Sequence, residues 1–81
     1  MDVLRSVKIR ISDFVQLKQF AFAVAQFESD INIIKGRIKY DAKSIMGVLA
    51  IDTSDGVIVE IISDDEEEIS KFIEAMEVFK A

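Results

Sequence analysis

The sequence predicts an α+β fold in which helices lie on one side of an antiparallel or mixed sheet. Two observations support this fold class: several stretches have the alternation or β-branched composition of strands, and two longer stretches repeat apolar residues at helical spacing. In chain order the elements are β-α-β-β-short α-β-α. With 81 residues, of which 51% are apolar, the chain is expected to form one domain over residues 1–81.

The first strand and the first helix are predicted by two different periods. Residues 6–11, SVKIRI, alternate apolar and basic side chains, as a half-buried strand does. Ser12 or Asp13 then caps a helix that runs to about residue 27. The predicted buried face of this helix consists of Phe14, Leu17, Phe20, Ala21, Val24 and Phe27.

A hairpin and a further strand follow. Residues 30–40, DINIIKGRIKY, indicate two strands around a tight turn in which Gly36 takes a positive φ. Residues 42–51, AKSIMGVLAI, allow one or two helical turns at 44–50, with Ser44 as the cap, because Gly47 interrupts a longer helix. Residues 57–62, VIVEII, are β-branched enough for another strand.

The last helix is expected to begin at an acidic run. Ser63 and Glu66 have the spacing of a capping box, and carboxylates in a first turn oppose the positive end of the helix dipole. A metal site is not expected here, because a hard cation needs more converging oxygens than one helical turn directs inward. The predicted buried face is Ile69, Phe72, Ile73, Met76 and Phe79.

Composition excludes several classes of function. The net charge of −5 argues against nucleic-acid binding, which needs a basic field. The chain has no His and no Cys, so His-based nucleophile pairs and the usual zinc ligands are absent, and its three separated glycines make no phosphate-binding loop. We therefore expect a protein that is not an enzyme. No signal segment or membrane-spanning run is seen, which predicts a cytoplasmic protein without membrane contact.

One stretch carries a family resemblance. Residues 41–61, DAKSIMGVLAIDTSDGVIVEI, followed by the acidic helix start, resemble the phosphocarrier protein HPr of the bacterial sugar phosphotransferase system, most closely in KSIMG. The element order fits as well, so the resemblance covers nearly the whole chain. It implies an open-faced sandwich, in which a four-stranded antiparallel sheet is covered on one face by three helices, the middle one short.

The sequence departs from this family at the start of the first helix. HPr carries there a histidine that accepts a phosphoryl group from enzyme I, followed closely by an arginine. Asp13 stands about where the histidine would be, and Val15 about where the arginine would be. A carboxylate at a helix N-terminus would repel an incoming phosphate. Phosphocarrier activity at this position is therefore not expected.

Other family positions are retained. Ser44 matches the serine that HPr kinase phosphorylates in HPr of many Gram-positive bacteria, and it lies beside Lys43. The alternative, that Ser44 is only a helix cap, stays open. In the family the short helix displays apolar side chains to partners, and here these positions are Ile45, Met46 and Leu49.

Val15 and Phe22 add two apolar residues on an otherwise polar face of the first helix. Together with the short helix they would form an apolar patch that binds a partner or a second copy of the chain. The alternative is a broader core that covers Phe22.

Two classes of function remain. The first is a regulatory or protein-interaction module of HPr type, whose partner by resemblance is HPr kinase, a transcriptional regulator or a phosphotransferase component. The second is a small-ligand-binding domain of the ACT or ferredoxin-like kind, which has a βαββαβ order. The short segment at 44–50 and the helix after the last strand favour the first class.

Overall fold

The computed structural model describes residues 3–44 and 55–80 of the chain. The described elements, in chain order, are β1 (Val3–Ile9), α1 (Phe14–Val24), β2 (Asp30–Lys35), β3 (Ile38–Asp41), β4 (Val57–Ser63) and α2 (Glu66–Met76), followed by a 3-10 turn, Glu77–Phe79. The short middle helix predicted at 44–50 lies outside the described residues, except for its first residue, Ser44.

The four strands form one antiparallel sheet in the order β1-β4-β2-β3. The turn between β2 and β3 contains Gly36 with a φ of 62°, as the hairpin pattern predicted. The prediction that the first strand continues to residue 11 was wrong. Ile9 pairs with Val57, the first residue of β4, so residues 10 and 11 have no further residue of β4 to pair with.

The core lies between the sheet and the helices. In β4 the alternate residues Val57, Val59 and Ile61 are buried, whereas Ile58 is exposed on the opposite face. Two edge-to-face aromatic pairs join the helical layer: Phe20 with Phe79 at 5.7 Å between ring centroids, and Phe27 with Phe72 at 6.0 Å. Helix α2 packs over β1 and β4.

The structure confirms the predicted cap of α1 and shows that the predicted cap of α2 was wrong. Asp13 caps α1, and it was one of two candidates. The prediction that Ser63 caps the last helix was wrong: α2 begins at Glu66 and its cap is Asp65. Ser63 is instead the buried last residue of β4, paired with Val3, and its hydroxyl oxygen accepts a hydrogen bond from the Asp65 amide at 3.0 Å.

Two residues predicted to face the core do not. Phe14 is 61% exposed, because it is the first residue of α1 and the buried face of that helix begins one turn later, at Leu17. Ile73 is 37% exposed, while Ile69, Phe72 and Met76 of the same helix are buried. Helix α1 also ends at Val24, earlier than the periodicity indicated, although Phe27 remains buried beyond it.

Candidate functional site

The start of α1 is closed by its own side chains. An Asp13 carboxylate oxygen accepts a hydrogen bond from the Gln16 amide at 2.8 Å. The Gln16 side-chain oxygen reaches back and accepts one from the Ser12 amide at 2.7 Å. This reciprocal arrangement is a capping motif, which satisfies backbone amides that a helix start otherwise leaves unpaired. The Asp13 carboxylate therefore lies at the helix N-terminus and takes one of the amides that an external anion would use.

The side chains of α1 offer little to a phosphate at Asp13. The chain has no histidine. Val15, at the position predicted to replace the family's arginine, is 63% exposed and has no polar side-chain atom to donate to an anion. The basic residue of α1 is Lys18, whose ammonium lies 5.6 Å from the centroid of the Phe14 ring, a cation–π contact. Sequence reasoning missed this contact, because it placed Phe14 in the core.

Helix α1 presents an apolar surface to solvent. It consists of Phe14, Val15 and Phe22, which are 61%, 63% and 73% exposed. The exposure of Val15 and Phe22 agrees with their predicted position outside the core, and the alternative in which Phe22 is covered was wrong. Residues that separate Val15 from Phe22 on the helix, including Lys18 and Gln19, are also exposed. We refer to Phe14, Val15 and Phe22 as the apolar surface of α1.

Ser44 is exposed and follows the end of β3. Its amide donates to the Asp41 carbonyl at 3.1 Å. The adjacent Lys43 ammonium donates to the Phe27 carbonyl, just beyond the end of α1, at 2.6 Å. The ammonium of Lys43, the residue that precedes Ser44 in the sequence, is thus held at this carbonyl. The other candidate contact residues, Ile45, Met46 and Leu49, lie outside the described residues.

The acidic start of α2 is capped and tied to the loop before β2. Asp65 accepts hydrogen bonds from the Glu67 and Glu68 amides at 3.0 and 3.4 Å. Glu68 in turn accepts a hydrogen bond from the Ser29 amide at 2.8 Å. Hydrogen bonds from Ser29, first from its side chain and then from its amide, lower the pKa of Glu68. Over residues 3–44 and 55–80, no acidic cluster has the arrangement of a metal site.

A carboxylate is buried on the sheet face that lies away from the helices. Glu60 is only 2% exposed, although the alternation along β4 places it on the open face. Its side chain accepts from the Lys39 ammonium at 3.0 Å and from the Asn32 amide group at 3.2 Å. Asn32 belongs to β2, which lies beside β4, and Lys39 belongs to β3, one strand further, so this cluster links β4, β2 and β3 on the open face. The sequence alone does not predict this cluster, because its three residues come together only through the order of the strands in the sheet.

The comparison with protein families decides what kind of protein this is. The family described as "PTS HPr component phosphorylation site" matches residues 17–80, which is most of the chain. The chain belongs to the HPr family. The matched range begins at Leu17 and therefore leaves out the start of α1, where Asp13 lies.

Solved HPr structures share the fold. The crystal structure of HPr-C-His from Thermoanaerobacter tengcongensis is 27% identical, with a TM-score of 0.65 over 95% of this chain and 91% of that one. The phosphocarrier protein HPr from Bacillus anthracis str. Ames is 21% identical, with a TM-score of 0.67 over 98% of both chains. A search of curated proteins gave no match. The mixed α+β fold with a four-stranded antiparallel sheet is therefore that of HPr.

Membership of the HPr family leaves the ACT or ferredoxin-like alternative without an observation in its favour. In the described part of the chain, no helix is both long and apolar enough to cross a membrane.

Proposed function

We propose that this HPr-family chain is a regulatory or protein-interaction module that carries no phosphoryl group on a histidine and catalyses no reaction. The closure of α1 by Asp13 is the observation that carries the proposal. In a phosphocarrier, this helix start must hold a nucleophilic imidazole and leave backbone amides free for the arriving phosphoryl group. Here the Asp13 carboxylate stands in place of the imidazole and accepts a hydrogen bond from the Gln16 amide.

The apolar surface of α1 supports a docking role. Phe14 and Val15 stay exposed at the helix start, where the family's phosphorylated residue would lie, and Phe22 stays exposed about two turns further along α1. Three large apolar side chains on one short helix favour a contact with another protein over lasting contact with water. The partner classes are HPr kinase, a transcriptional regulator or a phosphotransferase component, and a second copy of the chain is the homomeric alternative. Such partners would meet the chain in the cytoplasm.

Phosphorylation of Ser44 is a further part of the proposal. Its support is the match to KSIMG and the exposure of the serine. A phosphate adds negative charge and strong acceptor oxygens, which would alter how this end of the molecule meets a partner. Intact mass after incubation with HPr kinase should rise by one phosphoryl group, and the rise should disappear in Ser44→Ala. A gain that persists in Ser44→Ala would place the modification elsewhere.

The docking role can be tested with a pair of matched variants. Phe22 and Val78 are both 73% exposed, but only Phe22 belongs to the apolar surface of α1. Phe22→Gln should weaken capture of partners from a bacterial extract, or self-association in sedimentation, whereas Val78→Gln should leave both unchanged. Neither variant should change the melting temperature by much, since neither side chain is in the core.

The opposite pattern would contradict the docking role. If Phe22→Gln lowers the melting temperature strongly while association stays the same, Phe22 acts as a structural residue. Equal effects of the two variants on association would show that exposed apolar area in general, and not this surface, drives binding.

A further inference from the structure

The outer edge of β1 has a free stretch of backbone. In the described sheet β1 is an edge strand that pairs only with β4. At the last residue of β1, residues 79–80 pair antiparallel with the outer edge of the strand. Lys80 forms a bridge with Ile9, and the Arg10 amide donates to the Phe79 carbonyl at 2.8 Å. Backbone groups alternate in direction along a strand, so the amide and carbonyl of Ser6 point outward as the Arg10 amide does. Among the described residues, no backbone group pairs with Ser6 on this outer side.

A groove lies beside this free edge, between β1 and α2. Its volume is about 360 Å³, and it is lined by Arg5, Glu66, Ile69, Ser70 and Ile73. Its apolar lining comes from Ile69, which is buried, and Ile73, which is 37% exposed. Arg5 faces the same side of the sheet as the helices, because it pairs with the buried Ile61. A strand added to β1 would direct alternate side chains toward this groove.

The charge of the edge indicates which strand would fit. The charged residues from position 5 to position 10 are all basic, Arg5, Lys8 and Arg10, in a chain with a net charge of −5. None of the three forms an ion pair with another described residue. Basic side chains on an edge strand oppose pairing with a second copy, because the like charges of both copies would meet. The same charges favour an acidic strand.

We propose that the outer edge of β1 binds an extended acidic segment of a partner protein. The segment adds antiparallel to β1 at Ser6 and inserts an apolar side chain into the groove between β1 and α2. Backbone hydrogen bonds hold such an added strand, and the groove and the basic side chains select its sequence. The site shares no residue with the apolar surface of α1, so it stands independently of the proposed function.

Two synthetic peptides test this proposal on the full chain. The acidic probe is EVEIEVE and its control is KVKIKVK, both blocked at their ends, and binding is followed by NMR titration and by hydrogen exchange of the Ser6 amide. The acidic peptide should bind and slow exchange at Ser6, and the basic peptide should not. Lys8→Glu, on the open face of the sheet toward which the glutamates of the bound peptide point, should weaken binding about fivefold or more. The matched charge reversal Arg37→Glu, in the turn between β2 and β3, should leave it unchanged.

A second variant tests the backbone contribution. Ser6→Pro removes the outward amide at a position where an edge strand tolerates proline, so it should abolish binding in a chain that still folds. If Ser6→Pro does not fold, the result with Lys8→Glu tests the proposal alone. Equal binding of both peptides, or no loss of binding in Lys8→Glu, would overturn the proposal. Protection of the Ser6 amide that grows with protein concentration without peptide would assign the edge to a second copy and would also overturn it.

Discussion

Helices α1 and α2 are alike where they meet the core and different where they meet solvent. Each has 11 residues, an aspartate cap and a fully buried phenylalanine in an edge-to-face aromatic pair. The first turn of α1 contains no acidic residue and exposes Phe14 and Val15. The first turn of α2 is Glu66, Glu67 and Glu68.

This difference separates what the fold requires from what function adds. Acidic residues in the first turn stabilise a helix through its dipole, so the start of α2 is explained by stability and solvation. Exposed apolar residues do not stabilise the start of α1 in the same way, and nothing in the core depends on Phe14 or Phe22. The apolar surface of α1 therefore needs a functional explanation, and contact with another protein supplies one.

The largest expected effect compares a core and a surface residue of α1. Phe20 is fully buried, so Phe20→Ala should reduce the free energy of unfolding by about 3–5 kcal/mol through lost burial and a cavity. Phe22→Ala, two residues away and 73% exposed, should change it by no more than about 0.5 kcal/mol. Chemical denaturation measures both. Similar losses in the two variants would mean that the faces of α1 are not distinct.

Removing the cap of either helix should have a smaller effect on stability, and the effect should be similar for the two helices. Asp13→Ala and Asp65→Ala should each reduce the free energy of unfolding by about 1 kcal/mol, because each removes an acceptor for helix amides. Asp64→Ala is the control, since Asp64 is exposed and is not the cap. A larger loss in Asp64→Ala than in Asp65→Ala would show that charge near α2, and not capping, stabilises its start.

The smallest effect is a pH dependence at Glu68. Hydrogen bonds from Ser29 lower its pKa below the usual 4.5, so the folded state favours the charged form. The resulting stability is fully present above that value and is lost as the pH falls through the folded-state pKa. The stability difference between the unchanged chain and Glu68→Gln should therefore shrink between about pH 6 and about pH 3. A stability difference that does not change with pH would contradict the role of Ser29. The same pH dependence in the exposed control Glu74→Gln would also contradict it.

The sequence predicted the fold well because local signals agreed with it. Alternation in β1 and β2, Gly36 in the turn and the periodicity of α1 each depend on neighbouring residues, and each is found in the structure. The cap of α2 failed for a specific reason. Ser63 and Asp65 are both followed by a glutamate three residues later, so spacing could not choose between them. The pairing of Ser63 with Val3, a contact between distant parts of the chain, makes it a strand residue.

The candidate site was less predictable because it depends on side-chain direction and on tertiary contacts. The replacement at position 13 and the two candidate caps, Ser12 and Asp13, were visible in the sequence, but the hydrogen bond from the Ser12 amide to the Gln16 side chain was not. Similarly, the sequence places Lys43 beside Ser44 but does not indicate that the Lys43 ammonium donates to the carbonyl of Phe27, 16 residues earlier. Such partners lie far apart in sequence or depend on side-chain direction, which periodicity does not specify.

Phosphoryl transfer tests the central claim most directly. The chain is incubated with enzyme I and phosphoenolpyruvate, with the Bacillus anthracis phosphocarrier HPr as the positive control in the same reaction, and intact mass is recorded for both. Because the chain has no histidine and Asp13 is held as a helix cap, its mass should stay unchanged while that of the control rises by one phosphoryl group. A stable gain of one phosphoryl group by this chain would contradict the claim that it acts through docking without carrying phosphate.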